Sequence, residues 1–391
     1  MKGKAILLIC GLVAILCPAA FGKIIYVDDD ATGANDGSNW QNAYIYLQDA
    51  LADANSVEKP VEIRIAQGIY KPDQGAGITS GDREATFQLI NGVTLSGGYA
   101  GLTEPNPNER DYEKYETILS GDLANDDISW DQLLEIRPSD FRGWFDEPNR
   151  EDNTYNVTIG CNIDETAILD GFSIENGCYL PGFDSCDGGL FVDSGSPTVL
   201  NCNFKRNSAS SYGGAISCIN NSNPTLINCT ITRNWALFIG AMYNYNSNPS
   251  LINCIFSENF TEIPKGVIVE RGYFPCGGMY NYNSDPTFVN CSFINNSSGG
   301  MRNYESNPIL INCTVFGNSA DSYGGILNVS GNPILTNCIV WGNIPGQIND
   351  GIVASYSNIQ GGWEGEGKYR CKSIVCKSRL LGRSKRSKYN C

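Results

Sequence analysis

The chain has 391 residues, 41% of them hydrophobic, a formal charge of -15 and no histidine. The missing imidazole excludes Ser-His triads, His-ligated zinc and any histidine acid or base. Nine Lys/Arg and no Asp/Glu follow from Lys368 onward, leaving 18 basic against 42 acidic residues before it, about -24. Such a body repels nucleic acid and polyanions unless divalent cations bridge them; the plain alternative is ordinary solubility.

Lys2 and Lys4 stand ahead of an apolar run from Ala5 to Leu16, and Ala20-Phe21-Gly22 offers a small-x-small site. Residues 1–22 therefore read as a cleaved secretory signal, and the protein is expected to be secreted or held at the cell surface. The run is too short for a membrane span, and no later segment supplies about 18 continuous apolar residues. Cys10 and Cys17 lack the small preceding residue of a bacterial lipobox.

Residues 23–56 form the next block. Ile24 to Val27 is strand-like and runs into the acidic loop Asp28 to Gly37. Asp28, Asp30 and Asp36 carry the hard oxygens that calcium takes, without EF-hand spacing; a solvated turn is the alternative. Ser38 or Asn39 can cap a helix whose apolar positions Trp40, Ala43, Tyr44, Leu47, Ala50 and Leu51 fall three and four residues apart. One short amphipathic helix there would cover the open end of a stack of strands.

Residues 57–367 form the body. Val61 to Ala66, Val93 to Tyr99 and Thr117 to Gly121 read as early, irregular strands, with polar insertions at Glu104 to Tyr115 and Asp122 to Asn153. Asp122, Asp126 and Asp127 in the second insertion are a further calcium candidate, set against the reading of an acidic surface loop. Regular coils run from about 186 to 345. Six prolines (Pro197, Pro224, Pro249, Pro286, Pro308, Pro333) are each followed five residues later by a cysteine (Cys202, Cys229, Cys254, Cys291, Cys313, Cys338), at steps of 27, 25, 37, 22 and 25. A period in the twenties with one long step marks a solenoid whose coils tolerate loops.

Within a coil the order is Gly-Gly, strand, polar turn, strand, Asn-Cys, strand, Asn. Alternation points Leu200, Cys202 and Phe204 and their equivalents inward, so stacking predicts a buried ladder of free thiols. Cys178 and Cys186 are the more plausible disulfide in an exported protein. The asparagines before the cysteines, Asn201 to Asn337, suit left-handed bends whose amides bond from coil to coil.

One Asn-Cys per coil resembles the right-handed parallel β-helix of the pectin-lyase-like superfamily. Tyr26 to Gly37, Gly97 to Gly101 and Glu116 to Leu123 resemble the front end of its exported bacterial members. The resemblance covers about Ile24 to Gly367 and implies an all-β, right-handed parallel β-helix with a short N-terminal capping helix. It is specific for fold, since one coil serves lyases, hydrolases, epimerases and adhesins. Pectate lyases would imply calcium held by aspartates with an arginine or lysine base. The galacturonan hydrolases' Gly-His-Gly element is missing here.

In the strands after Gly-Gly, inward Met242, Met279 and Met301 with Asn244, Asn281 and Asn303 leave two outward files. One holds Tyr243, Tyr280 and Arg302, the other Tyr245, Tyr282 and Tyr304. A flat aromatic patch over three coils would stack on sugar rings, with Arg302 pairing a carboxylate or acting as lyase base. The insertion Thr261 to Pro275 would wall one side. Against this stands an outward tyrosine ladder that only stiffens the sheet, with Arg302 satisfied by Glu305.

Residues 368–391 break the texture. Shifting their degenerate codons by one base permits Asn-Ile-Asp-Ala-Asn-Pro-Leu-Phe-Ala-Asn-Pro-Asp-Tyr-Trp-Asp, which resembles a final coil; a frameshift product is expected, with a basic arm as the alternative. The sequence thus points to a secreted β-helix repeat protein that binds extracellular or cell-surface polysaccharide through an outward aromatic face. A calcium-assisted uronate lyase and a purely structural adhesin are the other classes. It leaves the oligomeric state open.

Overall fold

The computed structural model describes residues 22–128, 132, 148–178, 188–261, 275–363 and 366–367. The expected signal segment, Cys186, the middle of the 261–275 insertion and the basic tail lie outside the described residues.

Three parallel sheets of 8, 11 and 10 strands run the length of the chain, with a short fourth sheet at one corner. Each regular coil contributes one short strand to each long sheet. The coil holding Met279–Tyr282, Thr287–Val289 and Ser292–Ile294 shows the order: opening sheet, second sheet, third sheet. Strands of the regular coils pair without slip, so Met242, Met279, Met301 and Ile326 share one row; the early pair Val61–Ala66 and Val93–Tyr99 shifts register between Arg64 and Ala66. Period-2 alternation drives this: a one-residue slip would turn every apolar side chain outward. Cys202 and Phe204 are buried as expected, but Leu200, Val289 and Ile311 are only half-buried: the left-handed asparagine that follows each of them breaks the alternation, and Val199, Phe288 and Leu310 take the inward place in one continuous core with Phe256, Phe293 and Val340.

The six cysteines of the repeat are buried free thiols in that core. Cys254 shares hydrogen bonds with the sulfurs of Cys229 and Cys291, which continues the ladder. Cys178 is likewise a buried free thiol.

The asparagine just ahead of each cysteine adopts a left-handed backbone, with φ of 52 to 57°. Its amide donates to the same residue one coil back, as Asn290 Nδ2 does to Asn253 Oδ1 at 3.1 Å. A second ladder, of which the sequence showed only the position, is fully buried. Asn207, Asn234, Asn259, Asn296 and Asn318 each donate both Nδ2 and the backbone N–H to the Oδ1 of the next coil's asparagine.

Gly-Gly corners reflect close backbone approach. A Cβ on Gly278 would sit 2.0 Å from Gly300 O. Gly299 has φ +117°, and a Cβ there would press on the Arg302 guanidinium.

The N-terminal helix is shorter than the pattern suggests: α1 spans Leu47–Ser56, and Trp40–Asn42 is a separate 3-10 turn capped by Asn39. The intervening chain is taken into the sheet instead. Tyr44 donates its N–H to Tyr26 O and accepts from Asp28 N, both at 2.9 Å. Leu47, Ala50, Leu51 and Ala54 of α1 are buried in the same core as Ile25, Val61 and Ile63, so the helix covers the first coil as its apolar face requires.

Candidate functional site: the outer face of the opening sheet

Strands Met242–Tyr245, Met279–Tyr282 and Met301–Tyr304 bring all six expected residues onto one outer face. Inside, the Asn244, Asn281 and Asn303 amides form their own chain at 2.8 Å per step. This pins the register of the two outer files.

Those files have different fates. Tyr280 and Arg302 are only 6% and 4% exposed, which corrects the expectation that they face solvent. The alternation holds, but outward is not open there. The residues preceding the Gly213-Gly214, Gly240-Ala241 and Gly277-Gly278 corners, Tyr212, Ile239 and Cys276, ladder with one another and fold over this file. Tyr212 stacks on Tyr243 at 4.9 Å and meets Phe238 at 5.7 Å. The sequence signal for this cover was the residue before each Gly-Gly pair.

Arg302 is spent on the backbone. It donates from Nη1 to Tyr323 O at 2.8 Å, from Nη2 to Ser298 O at 2.9 Å and from Nε to Pro275 O at 3.4 Å. Neither Glu305 nor any other carboxylate among the described residues lies in ion-pair reach of it. Desolvation lowers its pKa from the ordinary value. A guanidinium tied to three corner carbonyls is a staple, so Arg302 is not presented as a substrate clamp or a proton acceptor.

The second file is open. Tyr245 is 36% exposed, and Tyr282 and Tyr304 are half-buried. Their rings lie 5.3 and 5.0 Å apart at interplanar angles of 23° and 9°. Coplanar rings lying side by side would clash at such a separation, so the rings stack face to face along the solenoid axis. The expected flat platform is therefore replaced by a stacked column whose ring edges, not faces, line the outer surface. Edges carry the positive part of the aromatic quadrupole, and phenol hydroxyls both donate and accept.

Two acidic groups lie elsewhere on the molecule. Carboxylate oxygens of Asp28, Asp29 and Asp30 fall within 4.8 Å of one another. Asp36, expected in this group, lies outside it, and its carboxylate accepts from Ser38 N at 3.0 Å. Asp28 is buried and already accepts from Asp30 N at 3.0 Å and Leu102 N at 2.8 Å. Burial, then the neighbouring Asp30 charge, pushes Asp29 up to about 6.

Asp122, Asp126 and Asp127 also converge. Asp122 accepts from the N–H groups of Asp126 and Asp127, both at 3.2 Å. Burial raises the Asp127 pKa, against the charge of Arg150 and a 2.9 Å hydrogen bond from Asn153 Nδ2. Buried Asp127 Oδ1 and Asn153 Oδ1 have no donor among the described residues. An all-oxygen set suits a hard cation such as calcium, while the Arg150 and Arg206 charges beside Asp127 oppose one.

Three-sheet parallel coils, a core of stacked like residues and a helix over the first coil define a parallel β-helix. The chain belongs to the right handed beta helix region family, whose model matches residues 151–359. Among solved structures, pectate lyase Pel9A is similar at 11% identity, covering 86% of this chain and 75% of its own, with a TM-score of 0.47. A rhamnogalacturonan lyase matches at 12% identity over 89% of this chain and 87% of its own, TM-score 0.40. Pectin methylesterase PemA from Erwinia chrysanthemi matches at 11% identity over 90% and 92%, TM-score 0.34. These likenesses concern the fold alone. No curated protein matches the chain. Among the described residues, no helix is long and apolar enough to cross a membrane.

Proposed function

We propose that this is an exported β-helix protein that binds an extracellular or cell-surface polysaccharide along the Tyr245, Tyr282 and Tyr304 column. The observation that carries the reading is the column's geometry: three partly open phenols in strict register, 5.3 and 5.0 Å apart. A row of hydroxyls and positive ring edges meets the hydroxyl or carboxylate oxygens of an extended glycan lying along the axis. Export rests on residues 1–22 as a removed leader, with 23–56 as the cap, 57–367 as the β-helix and 368–391 as a non-native tail.

Glycan arrays and affinity electrophoresis test this. Binding of one polysaccharide class that is lost in Tyr282→Ala supports it. No binding to any glycan would instead leave a structural adhesin. The Asp122, Asp126 and Asp127 oxygens favour a second reading, a calcium-assisted uronate lyase, though the burial of Arg302 removes its candidate base. Ultraviolet absorbance of unsaturated products from pectate or alginate, with and without calcium, decides it.

A further inference from the structure

Away from the tyrosine column, the second sheet turns outward a face that carries no charge. Its strands from Thr198–Leu200 to Val353–Ser355 cover seven coils in unbroken register. Each strand gives its first and third residues to the outside, because the middle one, from Val199 to Ala354, is buried. Two outward files result, Thr198 to Val353 and Leu200 to Ser355, and none of their fourteen side chains is charged in a protein of formal charge -15. In the coils before them the same face is occupied. Arg110 donates to Gly97 O at 2.9 Å and pairs with Asp170, the neighbour of Leu200 in its file, at 2.9 Å. The open part starts just beyond that clasp.

Its size is that of an interface. Coils about 4.8 Å apart make it about 29 Å long from first to last. With the six asparagines of the adjoining ladder, Asn201 to Asn337, it presents twenty residues, which reaches the roughly 20–30 a side that bury about 800 Å² per partner in a stable complex. Contiguous exposed apolar surface of this kind marks a contact with another macromolecule.

The two files show which one, because they are graded in opposite senses. The first begins with the short hydroxyl side chains Thr198, Thr225 and Ser250 and ends with Ile309, Ile334 and Val353, which are 38%, 42% and 56% exposed. The second begins with Leu200 and Ile227 and ends with Thr336 and Ser355. A second copy, turned about a two-fold axis running along the central strand Thr287–Val289, lies face to face with the coil order reversed. It sets the partner's Val353 over Thr198, the partner's Ile334 over Thr225 and the partner's Ile309 over Ser250. In the other file it sets the partner's Ser355 over Leu200 and the partner's Thr336 over Ile227. Long meets short in each of these pairs, as a self-complementary two-fold interface requires. The hydroxyls at the ends need no new partner: Thr198 Oγ1 donates to Glu165 O at 3.0 Å, and Thr336 and Ser355 share a hydrogen bond at 3.4 Å. Threonine methyls are left to make the contact.

We propose that the outer face of the second sheet pairs two copies of this chain into an antiparallel dimer, with Thr287 and Val289 on the axis. Two sheets packed about 10 Å apart satisfy it. The tyrosine column belongs to the opening sheet and stays outside the contact.

Sedimentation velocity of the full chain at micromolar concentration should show twice the mass of one chain. Ile334→Glu, at an outward position, buries an unpaired charge twice per dimer and should weaken association by roughly tenfold or more. Adding Thr225→Lys to the same chain should restore the dimer, because the two new charges meet only across the axis; within one chain they lie four coils, about 19 Å, apart. Adding Thr287→Lys instead should not, since it places two like charges on the axis. If circular dichroism shows that Ile334→Glu fails to fold, Ile309→Glu with Ser250→Lys carries the same test. A monomer at micromolar concentration overturns the proposal. So does a dimer that survives the glutamate in folded protein, or a loss that the matching lysine does not repair.

Discussion

Asn259 donates both its side-chain Nδ2 and its backbone N–H to a single atom, Asn296 Oδ1, each at 3.0 Å. Asn296 repeats the arrangement onto Asn318 Oδ1 at 2.9 Å for both bonds, so each coil is fastened to the next by a residue that water does not reach. Asn296→Ala strands two buried donors of Asn259. Each stranded group costs roughly 1–3 kcal/mol. The expected outcome is a large fall in the urea midpoint, and Asn296→Asp should fare no better, because a carboxylate would be buried without a counter-charge.

The exposed ladder behaves differently under substitution. Asn290 has φ 56° and its amide bonds reach solvent-facing partners. Here the backbone conformation dominates the cost. Asn290→Ala should lose about 1–2 kcal/mol from the left-handed strain alone, whereas Asn290→Gly should lose less despite removing the same amide. Paired denaturant curves decide it. Equal losses would show that the amide contact, and not the bend, is what Asn290 supplies.

The contrast between these ladders also shows what was legible in the chain. Periodicity located the coils, the inward cysteines and the bends at Asn201 to Asn337, because each depends on alternation and turn chemistry that recur in every copy. The same alternation placed Tyr280 and Arg302 on the outer face. It could not show that Tyr212, Ile239 and Cys276 fold over them, since that cover comes from a corner whose path depends on tertiary packing. Ring orientation was equally hidden: a tyrosine repeated each coil is compatible with a flat patch or a stacked column, and only the 9° angle between Tyr282 and Tyr304 separates them. Tyr44 shows the local version, where a helical pattern yielded to backbone bonding with Tyr26 and Asp28.

The thiol ladder predicts an alkaline limit on stability. Burial pushes Cys202 up to about 12; for Cys291 and Cys313 the hydrogen bond each thiol donates to the sulfur one coil back leads, opposed by the one it accepts from the next coil, with burial adding to the rise, again to about 12. The ordinary thiol value is 9.0. Between these values the unfolded chain has lost the protons that the folded chain keeps, so the contribution is complete below pH 9 and is lost as pH rises toward 12. Urea midpoints should therefore fall steeply above pH 9, and less so in Cys291→Ala. At pH 8 the ladder thiols stay protonated and should resist an aromatic disulfide reagent until the protein is unfolded.

Ring stacking and the phenol oxygen make separable claims about Tyr282. Tyr282→Phe keeps the 5.0 and 5.3 Å stacking partners and removes only the phenol oxygen, while Tyr282→Ala breaks the column. If the outward edge does the binding, affinity electrophoresis should show Tyr282→Phe weakened severalfold, consistent with roughly 0.5–1.5 kcal/mol for one hydrogen bond, and Tyr282→Ala weakened further. Full retention in Tyr282→Phe would assign recognition to ring faces at the ends of the column, Tyr245 and Tyr304.

Arg302 separates structure from chemistry on the same face. Its three carbonyl partners lie at Ser298, Tyr323 and Pro275, each just ahead of the Gly-Gly pair of a different, successive coil. Arg302→Lys can satisfy fewer of them, because a single ammonium lacks the planar fork. Arg302→Ala leaves those carbonyls to find water. Loss of roughly 1–3 kcal/mol is expected for the alanine variant, with an intermediate loss for lysine. Polysaccharide affinity at a temperature where both variants stay folded should match the parent within twofold. A loss of affinity in folded Arg302→Lys, with its melting temperature unchanged, would contradict the staple and return Arg302 to the binding face.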